Sequence, residues 1–176
     1  MLSTLPEQAD PRRLCEQGKA YAGSVALRDL PRLMPLLASQ EGEAAFTLEF
    51  DQDEENRLRI RGRVTGSLPL ICQRCMQVMQ QAVRADFCLS PVSGPVEAEN
   101  LPEDYDPLML EQDLLHLMDL VEDELILAIP PAPRHPEADC AVKLADYAMQ
   151  PEVQESRTEE ENPFAVLAQL KRDNNE

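Results

Sequence analysis

Glu43-Ala44-Ala45-Phe46-Thr47-Leu48-Glu49-Phe50, Asp51-Gln52-Asp53-Glu54-Glu55-Asn56 and Arg57-Leu58-Arg59-Ile60-Arg61-Gly62-Arg63-Val64 follow one another without a break, and their reading decides the fold. In the first run Ala44, Phe46, Leu48 and Phe50 share one side of an extended chain. In the third, Leu58, Ile60 and Val64 share a side and four arginines share the other. A period of two is that of a half-buried strand. The polar run between them has the length of a hairpin loop, so the two strands are expected to be antiparallel.

Working outward, further strands are expected at Ser67–Cys72 and at Gln80–Leu89, where Val83, Ala85, Phe87 and Leu89 alternate with Arg84, Asp86 and Cys88. Ala20–Leu27 reads as another strand, Leu30–Ala38 as a short helix interrupted at Pro35, and Tyr105–Glu111 as a fifth strand. Between Val92 and Pro107 lie five acids, no base, one glycine and three prolines, which reads as a mobile acidic loop. Leu114–Ile129 places Leu117, Leu120, Val121, Leu125 and Ala128 at helical spacing, and Pro130-Pro131 ends the helix by removing donors. In this reading Glu122-Asp123-Glu124 form a solvated face. The fold class is therefore α+β, a mostly antiparallel, meander-like sheet covered by one main helix.

The expected organisation is an N-terminal arm over 1–19, one domain over 20–148, an acidic linker over 149–162, and a short helix and tail over 163–176. Asn162-Pro163 supplies an N-cap and a first-turn proline for that helix, and the acidic, polar residues before it read as a disordered tether. Phe164, Leu167 and Leu170 would form the apolar face of a segment that docks on the domain or binds a partner. A chain of 176 residues suits one domain of ordinary size. With four Phe, three Tyr and no Trp, its core must be aliphatic. No apolar run is long enough to span a bilayer or resembles a secretory leader, so the expected location is the cytoplasm, with no membrane partner.

Charge is divided along the chain. Residues 57–85 contain six arginines (Arg57, Arg59, Arg61, Arg63, Arg74 and Arg84) and no Asp or Glu, whereas the rest carries ten bases against 33 acids. Alternate arginines on a strand stand roughly 6.6–7 Å apart, close to the spacing of successive phosphates, so these six are candidates for RNA contact. The competing reading pairs them with Glu43, Glu49 or the acids of the hairpin loop. Stacking aromatics are missing from this face, so RNA contact would be to backbone and shape. The acidic remainder suits a basic protein.

Cys72-Gln73-Arg74-Cys75 has the two-residue gap of a metal knuckle, and His135 and Cys140 could complete a four-ligand zinc site. A redox-active dithiol and a plain thiol pair are the other readings. The redox reading is disfavoured because the residues after Cys75 read as turn and strand, not as the helix N-terminus that activates thiols. Cys15 and Cys88 read as isolated thiols, and His116 as a surface or packing residue. No phosphate loop, nucleophile elbow or acid–base pair is present, which points away from an enzyme and from a small-molecule substrate.

Five motifs in order, Leu70-Ile71-Cys72-Gln73-Arg74-Cys75, Leu89-Ser90-Pro91-Val92, Leu101-Pro102-Glu103-Asp104-Tyr105, Val121-Glu122-Asp123-Glu124-Leu125-Ile126-Leu127-Ala128-Ile129-Pro130 and Asn162-Pro163-Phe164-Ala165-Val166-Leu167, resemble those of the bacterial YceD family, described as the large ribosomal RNA subunit accumulation protein. The resemblance runs from about residue 20 to the C-terminus. It implies a non-enzymatic ribosome-biogenesis role in the synthesis, processing or stability of large-subunit (23S) ribosomal RNA, with that RNA or a pre-ribosomal particle as partner. It also carries Cys72, Arg74 and Cys75 onto the family's Cys-x-Arg-Cys knuckle. Other members have a fuller set of cysteines in the later loop, where this chain keeps His135 and Cys140. Two other function classes compete: an acidic, chaperone-like module for a basic ribosomal protein, and a dithiol oxidoreductase.

Overall fold

The computed structural model describes residues 5–110 and 114–143. In chain order the elements are β1 (Gln8–Ala9), α1 (Pro11–Glu16), β2 (Ala20–Ala26), β3 (Glu43–Gln52), β4 (Leu58–Ile71), β5 (Val78–Val92), α2 (Pro95–Glu99), β6 (Asp106–Met109), β7 (Leu115–His116) and α3 (Leu117–Leu127). Strands β2-β3-β4-β5-β6 form one sheet in that order. Its first four are an antiparallel meander and β6 joins parallel to β5. Strands β1 and β7 form a small antiparallel pair. The fold is α+β with a mostly antiparallel sheet.

The period-two pattern sets the sheet's two faces. Ala44, Phe46, Leu48 and Phe50 of β3 lie opposite Gly66, Val64, Gly62 and Ile60 of β4, and the apolar members are all buried. Val83, Phe87 and Leu89 of β5 continue this face, which packs against α3 through Leu117, Leu120, Val121 and Leu125. Burying one such aliphatic side chain contributes about 1.5–3 kcal/mol, so this face supplies most of the folding drive. Gly62 is needed here because its cross-strand neighbour Phe87 lies over it. A Cβ at residue 62 would stand 2.0 Å from the ring's Cζ.

The expected strands Arg57–Val64 and Ser67–Cys72 are in fact one. Thr65 and Gly66 stay in register with both neighbouring strands, so the strand runs on without a break. Pro69 is tolerated farther along because β3 has already left β4 by Gly66, so its missing donor faces no ladder. Its carbonyl instead accepts from Ala38 N–H at 2.7 Å. The expected acidic loop over 92–107 contains α2 and the start of β6, with Tyr105 buried. In place of a helix at 30–38 there are 3-10 turns at Leu27–Asp29 and Met34–Leu36. Helix α3 begins later than expected because Leu115 and His116 pair with β1.

Glu122 departs furthest from its expected place on a solvated face: it is 2% exposed. Its carboxylate accepts the backbone N–H groups of Arg32 and Leu33 at 2.6 and 2.9 Å, and Arg32 adds Nε at 3.3 Å and an ion pair to Asp123. The turn after β2 brings two unpaired N–H groups to α3, and one buried carboxylate satisfies both.

Candidate metal centre and charged face

Between β4 and β5 the chain reverses over residues 72–77. Cys72 N–H donates to the Gln77 carbonyl and Met76 N–H to the Cys72 carbonyl, both at 2.9 Å, with Met76 in the left-handed region at φ 59°. This tight turn points Cys72 and Cys75 to one side. Beyond α3, Pro130-Pro131 stops the helix and sends the chain back over the turn, where Gln73 N–H donates to the Pro133 carbonyl at 2.8 Å. His135 and Cys140 arrive beside the pair. The ligand atoms of Cys72, Cys75, His135 and Cys140 all lie within 4.8 Å of one another. A tetrahedral site with metal–sulfur bonds near 2.3 Å and metal–nitrogen bonds near 2.0–2.1 Å has edges of about 3.5–3.8 Å, so this donor set can hold a metal ion. The Cys75 Sγ to His135 Nδ1 separation, 3.4 Å, is already close to such an edge.

The surroundings act oppositely on the two thiols of the turn. Burial opposes ionisation of Cys72, but the backbone N–H groups of Cys75, His135 and Arg74, with the His135 side chain, lower its pKa to about 5. Gln77 N–H acts in the same direction on Cys75, but burial and the neighbouring Cys72 and Cys140 outweigh it and raise that thiol. Arg74 Nε donates to Cys140 Sγ at 3.0 Å and its guanidinium also reaches the His135 carbonyl at 3.2 Å. The candidate RNA contact at residue 74 is therefore turned inward onto the cysteine cluster, orienting donors as the outer shell of metal sites does.

The other five arginines line the opposite face of the sheet, each against an acid. Arg57 pairs with Asp53 and Glu55, Arg59 with Asp51, Arg61 with Glu49 and Asp51, and Arg63 and Arg84 with Asp86. Register explains this pairing. Glu49 stands opposite Arg61, Asp51 opposite Arg59, and Asp86 opposite Arg63. The run that lacks acids along the chain receives them from the strands on either side. Guanidinium hydrogen bonds hold the carboxyls of Asp51, Asp53 and Asp86 below the usual carboxylate range. Among the described residues no arginine pairs with Glu43, the other acid expected to pair.

Sequence reasoning missed Tyr105. Its hydroxyl donates to Asp53 at 3.0 Å and its ring lies 5.7 Å from the Arg57 guanidinium, while Asp53 also accepts the N–H groups of Glu55 and Arg57. The tyrosine that ends the Leu101–Tyr105 motif thus anchors the segment after α2 to the β3–β4 loop. Cys15 is buried and donates to the Arg59 carbonyl, and burial pushes its thiol up to about 11. Phe164, Leu167 and Leu170 lie outside the described residues, as do the expected linker and terminal helix. Among the described residues no helix is long and apolar enough to cross a membrane.

The family model described as large ribosomal RNA subunit accumulation protein YceD matches residues 60–171. A relative from Haemophilus influenzae (strain ATCC 51907 / DSM 11121 / KW20 / Rd) carrying that same description is 34% identical over 170 residues, covering 95% of this chain and 96% of its own. No solved structure matches. The matched region contains the cysteine knuckle, His135, Cys140 and Glu122, and the chain belongs to the YceD family.

Proposed function

We propose that this chain is a cytoplasmic, non-enzymatic factor for the accumulation of large-subunit (23S) ribosomal RNA that acts on the assembling particle. The observation that carries this reading is the 34% identity to a relative with that description over nearly the full length of both chains. The site chemistry agrees with a binding role. A closed set of three cysteines and one histidine suits a structural zinc ion, which would be held by Cys72, Cys75, His135 and Cys140 and leave no open position for substrate. Zinc so bound would supply cross-linking, tying the β4–β5 turn to the chain after α3.

The charged face favours a protein component of the particle over bare RNA. Five of the six candidate arginines spend their charge on Glu49, Asp51, Asp53, Glu55 and Asp86. The chain's net charge is −17, which attracts basic partners and repels phosphate. The direct test is the ratio of large- to small-subunit ribosomal RNA in cells depleted of the protein, with precursor ends mapped. A selective fall in the large-subunit RNA is expected. An unchanged ratio would overturn the reading.

A further inference from the structure

Among the described residues strand β2 is an edge of the main sheet, and it has none of the devices that usually guard an edge. Its sequence, Ala20-Tyr21-Ala22-Gly23-Ser24-Val25-Ala26, contains no charge and no proline, and its register with β3 is unbroken, without a bulge. An edge of this kind is a template for another strand. The direction of its backbone groups follows from the ladder's ends. Phe50 N–H donates to the Lys19 carbonyl at 2.8 Å and Leu27 N–H to the Gly42 carbonyl at 3.0 Å, so odd-numbered residues face β3. By alternation, Ala20, Ala22, Ser24 and Ala26 turn their N–H and C=O groups outward. Among the described residues no strand pairs with them.

Charge around this edge selects the occupant. On the outer face Glu43 lies opposite Ala26 and Glu49 opposite Ala20. The β2 side chains there are alanines and one serine, so nothing bulky stands between those carboxylates and an added strand. Such a strand would lie two strand spacings from β3, roughly 9.5 Å, a gap that a Lys or Arg laid over alanine can bridge to a glutamate. In the flanking sequence Glu16 and Glu41 stand against Lys19, while Asp29 and Arg28 pair with each other. A second copy of this chain would bring the same acidic surroundings to the edge and be repelled.

We propose that β2 is a docking edge for an extended basic peptide of a protein partner, added to the sheet as a sixth strand through the outward groups of Ala20, Ala22 and Ser24, with Glu43 receiving a Lys or Arg side chain and Glu49, which also holds Arg61, adding negative potential at the other end. This deepens the particle-binding reading and rests on it only for where the partner comes from.

The test uses the full chain and a fluorescent eight-residue peptide of alternating Lys and Val. Binding by anisotropy is expected, weakening with salt, along with slowed amide exchange at Ala20, Ala22 and Ser24. Ala22→Pro removes an outward donor without touching the β3 ladder and is expected to weaken binding about tenfold or more. Glu43→Lys should weaken it several-fold. N-methylating alternate residues along one edge of the peptide should abolish binding to the unaltered protein, which covers the case in which the proline variant fails to fold. Equal binding by the methylated peptide, stronger binding of a Glu-Val control, protection of β2 by an RNA oligonucleotide instead, or a dimer split by Ala22→Pro would each overturn the proposal. Peptide binding at β2 with an unchanged ribosomal RNA ratio would leave the docking edge standing and remove the biogenesis reading. A fallen ratio without peptide binding would do the reverse.

Discussion

The two ends of the β4–β5 hairpin solve their electrostatics in opposite ways. At the open end, Arg59, Arg61, Arg63 and Arg84 meet Asp51, Glu49 and Asp86 from adjoining strands, and every charge on that stretch is answered within the protein. At the closed end, three thiols and an imidazole crowd together, and Arg74 donates to one of the thiols, Cys140. Ionised sulfur in that cluster would repel itself unless a metal ion sat among the donors. Surface ion pairs are individually weak, whereas a structural metal contributes directly to folding. A metal ion held there would place stability at the turn and leave the arginine face as a solvated, replaceable surface.

The largest effect is therefore expected at the turn. Cys72→Ser, or removal of metal by a strong chelator, should lower the melting temperature by about 10 °C or more and free the chain after α3 to exchange its amides. Retention of the wild-type melting temperature by this variant would break the contrast. Glu122→Ala comes next and gives the scale for a buried carboxylate outside the hairpin. Stripping two buried N–H groups of their acceptor should cost about 3–5 kcal/mol in urea unfolding, and a loss under 1 kcal/mol would show that water can take its place.

Acidification should act on the open end. Because Asp51, Asp53 and Asp86 titrate below the ordinary value in the folded protein, their contribution is complete above the ordinary carboxyl range, about pH 5, and is lost as pH falls below about 4 through the lowered folded values. A thermal denaturation series across that range should show the decline, and a flat profile would mean that the ion pairs contribute nothing. The smallest effect belongs to Arg63→Gln. Its ion pair is half exposed, and the melting temperature should move by no more than about 2–3 °C. A larger fall would make the arginine face structural and erase the difference between the two ends.

Much of this was legible in the chain. Alternation along 43–50 and 57–64 predicted the hairpin and its buried face, and the two-residue gap between Cys72 and Cys75 predicted the turn. Glu122 was not legible, because its acceptors are backbone groups of Arg32 and Leu33, whose position depends on tertiary packing. Tyr105 was hidden for the same reason: its partner, Asp53, lies far away in sequence. The break expected between Val64 and Ser67 does not occur, because Thr65 and Gly66 keep their register with both neighbouring strands. Arginine pairing depended on register. Once the β3–β4 loop is placed, Asp51 must face Arg59 and Glu49 must face Arg61.

Metal content of the full-length protein, purified under reducing conditions without chelator and measured by native mass spectrometry, tests the contrast most directly. The account predicts about one zinc per chain, lost in Cys72→Ser and kept in Arg63→Gln. A metal-free protein with Cys72, Cys75 and Cys140 as free thiols, and with a melting temperature that added zinc does not raise, would contradict it.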